Sequence, residues 1–355
     1  MDGRPKLARR KLRALGISGM GRRKCSRIQA VARKTQDISP AGPPAKSPPG
    51  TKSRKQASAS DSAGRKRVPK RGGVEVLTVA NLSAASWLVH GFSTRQGGVS
   101  SAYGGRALNL GPTGEDTPEN VAQNRERFIS KLGAIDARGG LWPVISVTQI
   151  HSAIIHRVDQ ETVPPLRGDG LITSTPGILL GIKAADCLPV LIADPERRAV
   201  GAFHAGWRGT AQRIVEKGVG EMRKHFGSDP AKLLAAIGPG IGNCCYEIGD
   251  EVEDAFESQF TYWQELFEDV FDSRSLHARY PLLFLNQRAP GHGDPALSRR
   301  LNLVKANLLQ LRDAGVAEEN ISNLDLCTAC RTDLFFSYRK EHVVGRMMAV
   351  VGIRP

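Results

Sequence analysis

The chain has no apolar run long enough to cross a bilayer, and its amino terminus lacks the apolar stretch of a secretory signal. We therefore expect no membrane span and a cytoplasmic location. Cysteine is scarce as well. The six cysteines are too few and too irregularly spaced for a disulfide framework in a chain of 355 residues, so we expect reduced thiols.

Acidic and aromatic residues are scarce in the first part of the chain. Residues 1–73 hold 21 Lys and Arg against 3 Asp and Glu, which leaves 29 basic and 32 acidic residues for residues 74–355. Pro, Ser, Gly and Lys dominate the same segment, which cannot bury enough apolar surface to fold alone. We predict a disordered basic tail over residues 1–73. Three interpretations of this tail stay open: a solvated extension, a segment that contacts nucleic acid or anionic lipid, and an Arg-rich transit peptide.

Residues 74–355 form a slightly acidic body, large enough for a single globular domain. Short apolar runs between Gly-rich turns predict strands, and apolar residues three and four apart predict helices. Because strands and helices do not alternate strictly, we predict an α+β fold with mixed, strongly twisted β-sheets and flanking helices. The predicted strands are Ile145–Val158, Ile178–Leu180, Val190–Ala193, Val200–Phe203, Leu233–Ile237 and Met347–Ile353. Four helices are predicted. The first starts at Thr117 or Glu119 and ends at Leu132, and the other three span Thr210–His225, Asp250–Gln259 and Leu301–Ala314.

Two further segments have simpler patterns. Gly, Pro and Asp punctuate Gln287–Arg299, which predicts a surface loop. The motifs FFSYRK and VVGRMM resemble two paired strands, with Arg339 and Arg346 either lining a site or facing solvent.

Three reactive side chains stand at the ends of apolar runs, in the segments VTQIHSA, IKAADCLPVL and GAFHAGWRG. His151, Cys187 and His204 offer two imidazoles and a thiolate, which zinc accepts while keeping a fourth position for water or substrate. Separations of 36 and 17 residues exclude a local zinc finger but suit ligands that come from different strands. We predict that these residues form one catalytic metal site, although a single His or Cys is more often structural.

Other polar residues near these segments have candidate roles. The turn after Gly206 opens a helix whose free N–H groups attract anions, so Arg208 is a candidate phosphate ligand. Arg95 lies in the Gly-rich segment STRQGGVS and is a second candidate, with a surface ion pair as the alternative for both. Asp186 precedes Cys187 and is expected to orient a ligand or a loop.

A Gly- and Pro-rich segment, IGPGIGNCCYEIGDEV, has the character of a pocket wall, and Glu247 within it is a candidate substrate contact. Cys327 and Cys330 form a CxxC pair, which suits a redox centre or half of a structural zinc site. The second CxxC that such a zinc site needs is absent.

The motifs resemble, in their order, those of the laccase-domain family, also called multicopper polyphenol oxidase-like proteins, whose members include purine nucleoside phosphorylases. The resemblance covers about residues 75–353, and it rests on STRQGGVS, LNLG, QIHS, GDGLIT, AADCLPVL, HAGWRGT, IGPGIGNCCYEIG, LCT, FFSYRK and VGRMM. By motif position it implies that His151, Cys187 and His204 are zinc ligands. Ser152 stands where the family commonly has Gly, which changes a turn.

The resemblance further implies phosphorolysis of adenosine, inosine and methylthioadenosine to the base and ribose 1-phosphate, with adenosine deamination as a second activity. For these reactions the residues themselves suggest Asp186 or Glu247 as proton carriers, and Arg95, Arg208 and the helix end after Gly206 as phosphate ligands. The laccase label fits poorly, because the chain has eight His and no His-X-His pair to hold several coppers. Copper at the His and thiolate site would be adventitious.

Two other classes of function stay open from the residues alone. Cys187 as nucleophile with His204 as base would make a metal-free thiol hydrolase, as in relatives described as peptidoglycan-editing factors. A noncatalytic adaptor would instead use the basic tail to bind nucleic acid or membrane.

Overall fold

A computed structural model describes residues 73–162, 165–270 and 298–355. The tail predicted over residues 1–73 lies outside the described residues except for Gly73. The loop predicted over Gln287–Arg299 also lies outside them, except for its last two residues, which belong to a strand.

Strands and helices are interspersed along the described chain. The strands are β1 Val76–Leu77, β2 Leu88–Ser93, β3 Gln96–Ser100, β4 Val144–Ser146, β5 Ile155–Arg157, β6 Gly170–Thr173, β7 Leu179–Ala184, β8 Leu188–Asp194, β9 Ala199–Ala205, β10 Leu234–Ile237, β11 Phe267–Val270, β12 Ser298–Leu301, β13 Ile321–Asn323 and β14 Met347–Ile353. The α-helices are α1 Ala80–Ser83, α2 Pro118–Leu132, α3 Trp207–Ala211, α4 Ile214–Phe226, α5 Asp250–Glu257, α6 Leu303–Asp313 and α7 Tyr338–Glu341.

Two mixed sheets form the centre of the fold. One has the strand order β1-β2-β14-β7-β4, and the other has the order β13-β10-β8-β9-β6-β5. Most neighbours are antiparallel, but β4 runs parallel to β7, β5 to β6 and β10 to β13. The predicted α+β fold with mixed sheets is therefore confirmed.

The sheets pack against each other, and each has helices on its outer face. Central strands are apolar on both faces, so that on β8 Leu191 faces the other sheet while Val190 and Ile192 face the helices α4 and α6. On β14, Val351 likewise faces inward, whereas Val350 packs against the residues of α2. The two sheets and the helices outside each of them make four layers. Strands in the middle layers are covered on both faces, which explains why β7, β8, β9 and β14 are almost wholly buried.

Capping residues account for several helix boundaries. The Thr117 side chain accepts a hydrogen bond from the backbone N–H of Asn120 and starts α2, and Gly133 ends it in the left-handed conformation. The Asn302 side chain caps α6 in the same way. Because Asn302 is the cap, α6 begins two residues after the predicted start, and Leu301 belongs to β12 instead.

Three predicted elements are wrong in a way that bears on function. Ile145–Val158 is not one strand, because a loop separates β4 from β5 and His151 within that loop has a φ of 58°. Thr210–His225 is interrupted at Arg213, which also has a positive φ, so α3 and α4 are separate helices. FFSYRK does not pair with VVGRMM: it contributes buried phenylalanines and then α7.

No helix in the three described ranges is long and apolar enough to span a membrane.

Candidate metal and substrate site

His151, Cys187 and His204 come together from three places in the fold. His151 lies in the loop between β4 and β5, Cys187 in the turn between β7 and β8, and His204 near the end of β9. Antiparallel pairing of β8 with β9 sets the turn beside the strand end, since Pro189 pairs with His204. One ligand atom of each residue lies within 4.8 Å of the others, and the Cys187 Sγ is 3.9 Å from the His151 Nε2.

Asp169, the residue before β6, holds the two histidines in place. Its buried carboxylate accepts hydrogen bonds from the His204 Nδ1 at 2.8 Å and from the backbone N–H of His151 at 3.0 Å. It also accepts from the backbone N–H of Ser152 at 2.6 Å, from the Ser152 hydroxyl at 2.8 Å and from the N–H of Ile150 at 3.2 Å. These bonds explain the break between β4 and β5.

The same hydrogen bonds set the charge of Asp169 and the orientation of His204. Burial raises the pKa of the Asp169 carboxyl, but the bonds from His204 and Ser152 outweigh it and lower the pKa to about 2. Asp169 is therefore ionised, and its bond with Nδ1 leaves the His204 Nε2 free for a metal. The sequence prediction assigned Asp169 no role, although it lies in the GDGLIT motif.

Before any metal binds, the electrostatics of the cluster favour a thiolate on Cys187 beside a protonated His204. Burial raises the pKa of Cys187, but the charge of His204 and a hydrogen bond with His151 lower it to about 6. Burial lowers the pKa of His204, whereas Cys187 and Asp169 raise it to about 9. One thiolate and two imidazoles, whose ligand atoms lie within 4.8 Å of one another, match the donor set of a catalytic zinc ion, which would take the place of the proton on the His204 Nε2.

Gly206 is required by the close packing at this cluster. A Cβ atom at this position would lie 2.8 Å from the Cys187 Sγ and 3.2 Å from the His151 Cδ2. The backbone of the turn that follows β9 therefore contacts two candidate ligands directly.

The three candidate ligands open into a cavity of about 570 Å³, within the usual range for small-molecule sites. Two tyrosines, Tyr246 and Tyr338, form aromatic parts of its wall. Three cationic side chains also line it: Lys183, Arg339 and Arg346. None of these three has a carboxylate within ion-pair distance among the described residues.

Asp186 lines the cavity and fixes the turn that carries Cys187. Its φ is 92°, and its carboxylate accepts a hydrogen bond from the Thr328 hydroxyl at 2.6 Å and one from the backbone N–H of Arg339 at 2.7 Å. Orientation of a loop, one of its predicted roles, is what these contacts provide.

The structure places the side chains of Arg95, Arg208 and Glu247 outside the residues that line the cavity. Arg95 pairs with Glu341 at 2.8 Å, so a carboxylate already balances its charge, and its Nη1 and Nη2 also donate to nearby backbone carbonyls. The exposed Arg208 lies over the Trp207 ring, beside a separate groove. Glu247 is also exposed, and its backbone carbonyl, rather than its carboxylate, accepts from Arg339.

Comparison with known proteins shows the family to which the chain belongs. A family model described as multi-copper polyphenol oxidoreductase laccase matches residues 89–354. The chain belongs to this family. A relative named purine nucleoside phosphorylase, from Deinococcus radiodurans, is 36% identical over 289 residues, which cover 79% of this chain and 94% of the relative.

Members of this family from other bacteria show the same similarity. The purine nucleoside phosphorylase YfiH of Escherichia coli is 32% identical, over 73% of this chain and 91% of its own. The crystal structure of YlmD from Geobacillus stearothermophilus is 31% identical and superposes with a TM-score of 0.61, covering 76% of this chain and 93% of that one. The laccase-domain fold predicted from the motifs is thus confirmed.

Proposed function

We propose that this chain is a purine nucleoside phosphorylase, which converts adenosine, inosine or methylthioadenosine and phosphate into the base and ribose 1-phosphate. The observation that carries the proposal is the shared cavity. Three cations without carboxylate partners and two tyrosines open onto the same space as His151, Cys187 and His204. The names of the relatives supply the reaction.

Phosphate would be held by the cationic side of the cavity. Lys183, Arg339 and Arg346 line this cavity and come from β7, α7 and the segment before β14. Arginine forks match phosphate oxygens, and water exclusion strengthens such pairs. We assign phosphate to these residues in place of Arg95 and Arg208.

The base would lie against the tyrosines. Burial, followed by the charge of Cys187, raises the pKa of Tyr246, so the phenol stays protonated and can donate a hydrogen bond. Such a donor would polarise a departing purine, while Tyr338 offers a ring face for stacking.

His151, Cys187 and His204 would hold a zinc ion, with Asp169 keeping the His204 ring in orientation. When bound, zinc supplies Lewis acidity and a water of lowered pKa, which is the chemistry that deamination at C6 of adenine requires. We propose adenosine deamination as the second activity on this basis. Asp186 is the carboxylate in the cavity wall and so the candidate proton carrier.

The test is product identification after incubation with adenosine and inosine, with and without phosphate. Ribose 1-phosphate should form only when phosphate is present. Appearance of free ribose instead would identify a hydrolase, and nucleoside that remains intact under both conditions would reject the enzymatic proposal.

Matched arginine variants locate the phosphate contact. Arg346→Gln should raise the KM for phosphate about 10- to 100-fold, because a charge-assisted hydrogen bond contributes about 1.5–3 kcal/mol. Arg346→Lys, which keeps the charge, should recover part of the loss. Arg208→Gln lies outside the cavity and should leave that KM near the wild-type value; an equal effect in both Gln variants would contradict the assignment.

A further inference from the structure

A second group of potential metal ligands lies apart from the His151 cluster. Cys244 and Cys245 are in the loop between β10 and α5, and Cys327 and Cys330 follow β13. The four Sγ atoms all lie within 4.8 Å of one another. Cys330 Sγ is 3.5 Å from Cys244 Sγ and 3.4 Å from Cys245 Sγ.

We infer that Cys244, Cys245, Cys327 and Cys330 form a second metal site, a closed tetrahedral thiolate centre for one zinc ion that joins two loops of the cavity wall.

The spacing of the sulfurs fits one central ion. With a Zn–S distance of about 2.3 Å, the sulfurs of a tetrahedral site lie about 3.8 Å apart. The distances from the Cys330 Sγ to the Cys244 and Cys245 Sγ atoms, 3.5 and 3.4 Å, are slightly shorter than this. All the other Sγ–Sγ distances are at most 4.8 Å. A cluster of several irons binds its cysteines through different metal atoms and needs a wider set of sulfurs. Four soft thiolates in tetrahedral range select zinc over the harder divalent ions.

The backbone around the cysteines is shaped to receive a thiolate. The N–H of Gly242 donates to the Cys327 Sγ at 3.3 Å. A Cβ at Gly242 would lie 3.3 Å from both the Cys244 Sγ and the Cys327 Cβ, so a larger residue would press on the centre. Hydrogen bonds from backbone N–H groups to ligand sulfurs orient the thiolates that bind the metal and stabilise their negative charge.

The centre would brace the wall of the cavity. Next to it, the N–H of Thr328 donates to the Gly240 carbonyl at 3.0 Å, and the Thr328 hydroxyl donates to Asp186. On the other loop, Ile241 donates its N–H to the Asp186 carbonyl at 2.7 Å. Tyr246, which lines the cavity, follows Cys245 directly. The role is therefore structural, and zinc binding here does not depend on nucleoside turnover.

Metal analysis of the full chain tests the second site. Wild-type protein purified without added metal should hold about two zinc ions per chain, and a His151→Ala/His204→Ala variant should hold about one. X-ray absorption at the zinc edge of that variant should show sulfur neighbours only, at about 2.3 Å. A Cys327→Ser/Cys330→Ser variant should also hold about one ion but lose the all-sulfur signal, and should unfold at lower temperature.

The histidine variant decides the question even if the cysteine variant fails to fold. No metal in the histidine variant, with a thiol reagent modifying Cys244, Cys245, Cys327 and Cys330 freely in peptide mapping, would overturn the proposal. So would a mass lower by two hydrogens for each disulfide, which would identify a redox pair, or iron in place of zinc. Because the readout is metal content, a protein inactive on nucleosides but containing the all-sulfur zinc would reject the proposed function and keep this site.

Discussion

Asp169→Asn should lower both the folding stability and the metal affinity of the proposed site, and the two effects can be measured separately. Asp169 is fully buried and accepts five hydrogen bonds on two carboxylate oxygens. In asparagine an NH₂ group replaces one of the two oxygens. Oδ1 accepts two of the five hydrogen bonds and Oδ2 accepts three, so at least two donors would face another donor. At about 1–3 kcal/mol for each unsatisfied group, the loss of folding stability should be about 2–6 kcal/mol.

The same change should weaken metal binding beyond its effect on stability. Without a carboxylate at Nδ1, His204 loses the partner that fixes its ring and tautomer, and loss of such a partner costs about 10- to 100-fold in metal affinity. Competition with a chromogenic chelator measures this affinity, with His151→Ala as the blank for any zinc bound elsewhere. Urea unfolding of chelator-treated protein measures stability.

Asp194→Ala is the matched control. Asp194 is also buried and accepts two backbone N–H groups, from Glu196 and Arg197, but it lies at the opposite end of β8 from Cys187. It should lose comparable stability and keep its metal affinity. If Asp169→Asn binds zinc as tightly as Asp194→Ala, the orienting role of Asp169 is refuted.

Three further predictions concern Gly206, His90 and Tyr246. Gly206→Ala should displace Cys187 and His151, lower the folding stability by about 1–3 kcal/mol and lower the metal content. The control is Gly220→Ala on α4, where the new methyl group meets open space, so calorimetry should show an unchanged or slightly higher stability. His90 is buried, its Nε2 accepts the N–H of Val79, and burial lowers its pKa from 6.5 to about 4. The unfolded chain therefore binds more protons, so about 3 kcal/mol of stability should be lost as pH falls from 6.5 to 4, and urea titrations of His90→Gln should lack this loss. Tyr246→Phe should lower kcat about tenfold with an unchanged melting temperature, and an unaltered kcat would reject its role as a donor.

Much of the fold could be predicted from the sequence because its main strands have continuous apolar runs. Met347–Ile353 was predicted with its observed bounds, and β8 and β9 were predicted within a few residues. The errors fall where tertiary contacts override local pattern. Asp169 lies outside the predicted strand that its carboxylate interrupts at Ile150–Ser152, so no local pattern could reveal the break.

The clustering of the three reactive side chains was predictable, but the charges around them were not. Motifs at strand ends indicate His151, Cys187 and His204, but nothing in the sequence reports that Arg95 is occupied by Glu341. Likewise, a sequence search for two CxxC pairs misses the cysteines that lie beside Cys327 and Cys330 in space. Cys244 and Cys245 are adjacent in sequence, so they form no CxxC pair, and they belong to another loop.

In the proposed reaction, phosphate itself attacks the nucleoside in the cavity beside His151, Cys187 and His204. The most direct measurement uses phosphate labelled with heavy oxygen, inosine and the full chain, with mass analysis of the sugar product. Phosphorolysis predicts ribose 1-phosphate whose bridging oxygen carries the label, formed by the wild type and lost in Arg346→Gln at low phosphate. Free ribose, with its new oxygen derived from water and unaffected by phosphate, would contradict the account.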